Sequence, residues 1–387
     1  MGEAADDRGS RRRNLGEQVS KNNTAPFRAD HVGSLLRTAP LKEARLKREK
    51  GEIDAAALKA VEDQEIKKII KKQEEVGLKL ATDGEFRRSW WQFDFFKLLD
   101  GAELIRTAHG IKFAGVETRP EDITVTGKLG YSGKPMVDHF EFLKANCNVT
   151  PKMTLPSPTV LHYRVGRKPL EQGLYKSTEE MLHDLGLAYR KAIKAFADAG
   201  CRYIQLDDTS YAHLCDKERR QMVKDRGEDP DWLANAWADM INSALADKPA
   251  DMVTAMHLCR GNFRSTFVSS GGYEPVADVL FNKIGIDGYF LEYDSDRAGG
   301  FEPLRFLPKG KKRVVLGIVT SKTGMLENKD LIKKRIEEAA KYVPLDQLCL
   351  SPQCGFASTE EGNVLAEDEQ WAKLRMIVEV AEEVWGK

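Results

Sequence analysis

The chain has 387 residues, with 60 Lys+Arg balanced by 60 Asp+Glu, so neither a basic field for nucleic acid nor an acidic tail for a cationic partner is expected. The length suits one large α/β unit with additions, and no apolar run approaches the roughly 18 residues that a membrane span requires. Six cysteines, at 147, 201, 215, 259, 349 and 354, are dispersed and lack a CxxC. That spacing is no disulfide framework and points to a reducing cytoplasm where thiols remain available to metals.

Residues 1–23 are polar, carry Arg11-Arg12-Arg13 and lack the apolar core of a secretory signal. They read as a disordered tail ahead of a single folded domain over 24–387. A first apolar run over 28–36 is followed by a helix predicted over about 54–76, apolar at Leu58, Val61, Ile66, Ile69, Ile70 and Val76 and stopped by Gly77. A second run, 78–86, leads into the aromatic group Trp90, Trp91, Phe93, Phe95 and Phe96, expected to be core and lid packing. Residues 110–132 look like an inserted excursion of short strands, and 136–145 a helix.

From Pro151 the alternation becomes regular. A strand over 151–158, a helix over 178–199 closed by Gly200, and a strand over 202–208 are followed by helices near 217–225 and 230–245 and a strand ending in His257 and Cys259. Further strands at 288–294, 313–320 and 347–352, with helices at 328–342 and about 367–385, complete the pattern. Eight candidate strands predict a (β/α)8 TIM barrel. The alternative, an open doubly wound sheet, lacks any Gly-rich phosphate fingerprint after a strand.

The polar residues gather at the C-terminal ends of these predicted strands, where barrel enzymes carry their chemistry. His257 and Cys259, two apart on one strand, point to the same face and can converge on one ion. Glu292 and Cys354 end later apolar runs, and the resulting N/S/S/O set suits Zn²⁺. The other four cysteines read as small buried or partly buried residues. Glu85 and Asp207 follow apolar strand residues, so each needs a cation or donors when desolvated; they could hold the ammonium of an amino acid or simply close salt bridges. The Val32-Gly33-Ser34 turn could offer amides and a hydroxyl to a substrate carboxylate, and His31 is read as core or as pocket lining for the substrate, with a direct chemical role as the alternative.

Taken together, His257-x-Cys259, Glu292 and Cys354 in Ser-Pro-Gln-Cys-Gly, preceded by Val32-Gly33-Ser34, Asp83-Gly84-Glu85 and Ile204-Gln205-Leu206-Asp207, resemble the C-terminal catalytic domain of cobalamin-independent methionine synthase, from Arg28 to the end. The resemblance implies a zinc-bearing barrel in which the thiol of homocysteine binds the metal and attacks an alkyl carbon. It puts the metal ligands on His257, Cys259, Glu292 and Cys354, and the amino-acid contacts on Ser34, Glu85 and Asp207, with Asp207 also a catalytic candidate. The sequence departs from the family in several places. It has no room for the additional N-terminal barrel that helps bind polyglutamylated folate. The stretch expected to carry a pterin-stacking tryptophan reads Leu155-Pro-Ser-Pro-Thr-Val-Leu-His162-Tyr163. The family's Asp-Ile-His reads Thr320-Ser321-Lys322, leaving Lys322 as the candidate proton donor, and its Asp-Glu-Pro reads Asp207-Asp208-Thr209.

These departures leave thiol activation intact and the methyl donor open, folate or another small methyl compound. The expected protein is a cytoplasmic zinc-dependent methyltransferase acting on homocysteine, with a small-molecule thiol and an alkyl donor as its partners and with homo-oligomerisation left open. Epoxide opening by a different thiol, such as coenzyme M, is a second reading. A non-catalytic barrel that binds zinc or a thiol metabolite is a third.

Overall fold

The computed structural model describes residues 24–386, so the tail expected over 1–23 lies outside the described residues. Helix starts follow from local chemistry. Asp54 accepts a hydrogen bond from the Ala57 amide at 2.8 Å and opens the helix Ala55–Glu75. Ser177 does the same for Glu180 at the start of Thr178–Asp198, in each case satisfying an amide that the first turn leaves without a partner. The second helix buries Met181, Leu185, Tyr189, Ala192 and Phe196, whose spacings of three and four turn one stripe toward the sheet.

The strands are β1 (Leu80–Ala81), β2 (Asp100–Arg106), β3 (Lys112–Phe113), β4 (Val116–Glu117), β5 (Glu121–Gly130), β6 (Thr150–Pro151), β7 (Met153–Pro156), β8 (Tyr203–Asp208), β9 (Val253–Leu258), β10 (Gly288–Glu292), β11 (Arg313–Val319) and β12 (Leu348–Pro352). Strands β7 to β12 form one parallel sheet in chain order, and β1 pairs in parallel with β6, just ahead of β7. The segment around Ala29 closes the ring. Ala29 bridges Leu350 in parallel, with Asp30 N donating to Leu350 O at 3.0 Å and Leu350 N to Arg28 O at 2.8 Å. On its other side the chain is tied to the turn after β1 by Thr82 Oγ1 donating to Gly33 O at 2.6 Å and Leu35 N to Gly84 O at 3.1 Å. The fold is the expected TIM barrel, with its first position held by a short extended segment rather than a full strand.

Strand alternation then sets the interior. Leu80, Tyr203, Ala255, Phe290, Val315 and Cys349 form one buried apolar group. Two residues further along β8, β9 and β10 the same face presents Gln205, His257 and Glu292, and two beyond that Asp207 and Cys259. The polar layer therefore sits above an apolar plug at the C-terminal end of the strands.

Three expectations need correction. The excursion begins at Asp100 rather than near 110, because β2 and β5 pair as one antiparallel ribbon around the small β3–β4 hairpin. The strand expected over 151–158 ends at Pro156, and Pro158 opens the helix Pro158–Val165, where its fixed φ suits the first turn. The connections after β9 and β10 are short π and 3₁₀ turns, Val279–Lys283, Asp296–Ala298 and Glu302–Phe306, instead of full helices. Gly271-Gly272, Pro275, Gly299-Gly300 and Pro303 interrupt any longer helical run there.

Candidate active site

A cavity of ≈ 420 Å³ opens at the C-terminal end of the barrel, with His257, Cys259, Cys354, Ser34, Glu85 and Asp207 on its walls. Donor atoms of His257, Cys259 and Cys354 all lie within 4.8 Å of one another, and all three side chains are buried. The two sulfurs are 3.2 Å apart, and the Gly261 amide donates to Cys259 Sγ at 3.2 Å. A hydrogen bond from Cys354 lowers the pKa of Cys259 against the opposing effect of burial, and the same contact, reinforced by burial, raises that of Cys354. His257 Nδ1 lies 3.3 Å from Asp207 Oδ1. Burial alone would lower the pKa of the imidazole, but Asp207, Cys259 and Glu292 outweigh it and raise that pKa. A carboxylate behind a ligating imidazole is the usual device for fixing its orientation.

Glu292 stands apart from these three. Its Oε2 accepts from the Arg260 amide at 3.0 Å, and its Oε1 is paired with Arg297. The structure thus brings together three of the four expected ligands and turns the fourth carboxylate, fully buried, to a guanidinium.

The acid pocket is built by a strained turn. Gly84 and Glu85 both have left-handed backbone, φ 63° and 60°; a Cβ at position 84 would come within 2.8 Å of Ile69. Glu85 carries the strain a side chain incurs there, of order 1 kcal/mol, and in return its carboxyl faces the cavity. Its Oε1 accepts from Thr154 Oγ1 at 2.9 Å, Arg88 stands 3.6 Å away, and its Oε2 is buried without a hydrogen-bond partner among the described residues. Burial, opposed by Arg88 and reinforced by Asp207, pushes the Glu85 pKa up to about 7. Asp207 commits Oδ1 to Gln205 Nε2 at 2.6 Å and to His257. Ser34 Oγ accepts from Ala357 N at 3.4 Å, and Gly355 is packed so closely that a Cβ would fall 1.9 Å from that hydroxyl.

Two expected residues lie elsewhere. His31 Nε2 faces Gln73 Oε1 at 3.0 Å, toward the helix Ala55–Glu75. Burial, aided by the Lys152 cation, lowers its pKa to about 3 and keeps it neutral. It does not line the cavity. Lys322 Nζ approaches Gly261 O, Asn262 Oδ1 and Thr266 O at 3.3–3.5 Å, bracing the loop after β9 rather than facing the cavity. Sequence reasoning missed Thr154, Arg88 and Gly355, which hold Glu85 and Ser34. Only Gly355 carried a sequence signal, as the glycine directly after a candidate ligand. It also missed that Ile111 and Phe113 of the excursion reach the cavity wall, where Phe113 packs on Phe263 at 5.5 Å.

A (β/α)8 barrel with two thiols and an imidazole gathered at the C-terminal mouth defines a class of soft-metal barrel site. The chain matches the family described as "Cobalamin-independent synthase, Catalytic domain" over residues 27–383 and belongs to that family. It is 52% identical over 371 residues, 96% of this chain and 98% of the relative, to the uncharacterized protein YxjH of Bacillus subtilis (strain 168). A Listeria monocytogenes structure provisionally described as a vitamin-B12-independent methionine synthase is 46% identical, covers 95% of this chain and 100% of its own, and superposes with a TM-score of 0.76. A 5-methyltetrahydropteroyltriglutamate–homocysteine methyltransferase of Bacillus licheniformis is 25% identical over 92% of this chain and 42% of that protein. The chain thus belongs to the methyltransferase family of the cobalamin-independent methionine synthase type, and no helix among the described residues is long and apolar enough to cross a membrane.

Proposed function

We propose that this methyltransferase transfers a methyl group to homocysteine and forms methionine, with His257, Cys259 and Cys354 as the residues that would hold zinc and Glu292, now paired with Arg297, as the carboxylate that would join them. The observation that carries this reading is the convergence of two thiols and an imidazole within 4.8 Å beside two buried carboxylates. The donor set fits the metal: soft sulfurs with imidazole suit zinc, whereas magnesium and calcium prefer oxygen. When bound, zinc would hold a substrate thiol as thiolate at neutral pH, where a free thiol, with a pKa of about 8.5, is mostly protonated.

The chain's own residues do the rest. Glu85, with one oxygen unpartnered, and Asp207 receive the α-ammonium of the amino acid. Ser34 and the Gly33 turn receive its carboxylate. Asp207 couples the two functions, because it also orients His257. Holding thiol and donor carbon in line within the cavity supplies much of the acceleration. Lys322 acts through its charge, which favours the thiolate form of Cys259 and Cys354, rather than as a proton donor. The choice of homocysteine draws support from the Bacillus licheniformis relative, whose name specifies that acceptor.

The test is turnover of the purified, zinc-loaded chain with homocysteine and a panel of methyl donors, with methionine measured by mass spectrometry. Methionine that requires both homocysteine and metal supports the reading. Product with another thiol, and none with homocysteine, would replace it.

A further inference from the structure

The same cavity that holds the acidic turn is also lined by positive charge. Arg164, Arg219 and Arg226 all line it, together with Tyr163 and His213. Two of these guanidinium groups are neutralised. Arg164 meets Asp122 at 3.1 Å and, with the Gln92 amide in its satisfied orientation, donates to that amide's oxygen; Arg226 pairs with Glu228 and donates to Tyr163 O at 2.7 Å. Arg219 has no carboxylate within ion-pair distance among the described residues; its partners are the neutral Val268 O, at 3.2 Å, and the Tyr163 hydroxyl, which leave the charge uncompensated.

The surroundings are arranged for a negative guest. His213 is 6% exposed, lines the cavity and has no hydrogen-bond partner on Nδ1 among the described residues. Its ring lies 4.8 Å from that of Tyr163, which also carries Arg226 at 5.0 Å. Burial, aided by the Arg219 and Arg164 cations and opposed by Asp216, depresses the His213 pKa to about 3 and keeps the ring neutral. An uncompensated guanidinium beside a buried imidazole that has an unused nitrogen is a receptor for an oxyanion.

We propose that Arg219 and His213, braced by Tyr163, form an anion subsite that captures a carboxylate or phosphate group on the methyl donor, in the same cavity as Glu85 and Asp207. The inference rests on the methyltransferase reading for the identity of the guest, though not for the existence of the subsite. A cationic subsite and an acidic one in the same cavity would keep the amino acid and the donor from exchanging places, since each charged end would meet repulsion in the other's position.

The probes are glutarate and inorganic phosphate, titrated into the zinc-loaded full chain at constant ionic strength. Binding is followed by tryptophan fluorescence, because Trp90 and Trp91 line the same cavity. The expected result is saturable binding of at least one anion, a Kd raised tenfold or more in Arg219→Gln, and partial recovery in Arg219→Lys. Glutarate alone would identify a carboxylate-bearing donor, and phosphate alone a phosphate ester. Absence of saturable binding beyond a chloride control, or equal Kd values in wild type and Arg219→Gln, would overturn the subsite. Because the readout is binding, a chain that binds glutarate yet makes no methionine would refute the proposed function and leave the subsite standing.

Discussion

Replacing Glu85 by glutamine should separate binding from stability, moving them in opposite directions. The rise of the Glu85 pKa from 4.5 to about 7 corresponds, at about 1.36 kcal/mol per pH unit, to roughly 3 kcal/mol by which the fold disfavours the ionised group. Because this acid's folded pKa lies above its unfolded one, the folded chain binds the extra proton between pH 4.5 and 7. Stability is therefore lost as pH rises through that window. Glu85→Gln removes the effect. It retains an acceptor for Thr154 and fits the same left-handed backbone, so the variant should be more stable than wild type at pH 8 by up to about 3 kcal/mol, with the difference vanishing near pH 4.5. Affinity for homocysteine should fall, since losing a buried charged partner of an ammonium costs about 2–5 kcal/mol, or roughly 30-fold or more in Kd. Urea denaturation at pH 5 and 8 gives the first quantity and calorimetric titration of the zinc-loaded chain the second. A variant that binds homocysteine as tightly as wild type, or that is less stable at pH 8, would refute the assignment of Glu85 as a poised ammonium acceptor.

Other consequences follow from the same geometry. Asp207→Asn withdraws the carboxylate behind His257 and should weaken zinc binding about 10–100-fold, measured by chelator competition. Wild-type affinity for homocysteine should rise as pH passes upward through about 7, when Glu85 ionises, and the calorimetric profile of Glu85→Gln should lack that step. Gly33→Ala should cost about 1–3 kcal/mol in urea denaturation and raise the KM for homocysteine. Its backbone sits at φ +133°, and the new Cβ would meet Thr154 Cγ2 at 2.6 Å, displacing the hydroxyl that holds Glu85. Cys259→Ser should abolish turnover while leaving the barrel's thermal transition within a few degrees of the metal-free wild type, because β9 is anchored by the ladders to β8 and β10.

Much of this was legible in the chain because strand alternation and helix spacing are local properties. His257 and Cys259 follow Ala255 on one face of β9, so their inward direction needed only a period of two. Helices such as Lys217–Asp225 and Pro230–Leu245 were bounded by their own Asp caps. What remained hidden depended on tertiary geometry. Nothing near Glu292 in sequence says that its carboxylate meets Arg297, five residues on across a 3₁₀ turn. His31 follows an extended run just as a pocket residue would, yet the chain leaves the ladder after Asp30 and turns the ring to Gln73. Arg219 reads as one charge among four in Lys-Glu-Arg-Arg. Only the fold shows that Arg220 meets Asp231 while Arg219 lines the cavity without a carboxylate partner among the described residues.

The central claim, that three side chains hold a metal which makes a thiol nucleophilic, is tested most directly by elemental analysis paired with turnover on one preparation. We predict close to one zinc per wild-type chain, almost none in Cys259→Ser or Cys354→Ser, and methionine formation that falls in proportion to zinc and returns when zinc is restored to the stripped wild type. Undiminished turnover by a chain shown to be free of metal would contradict it.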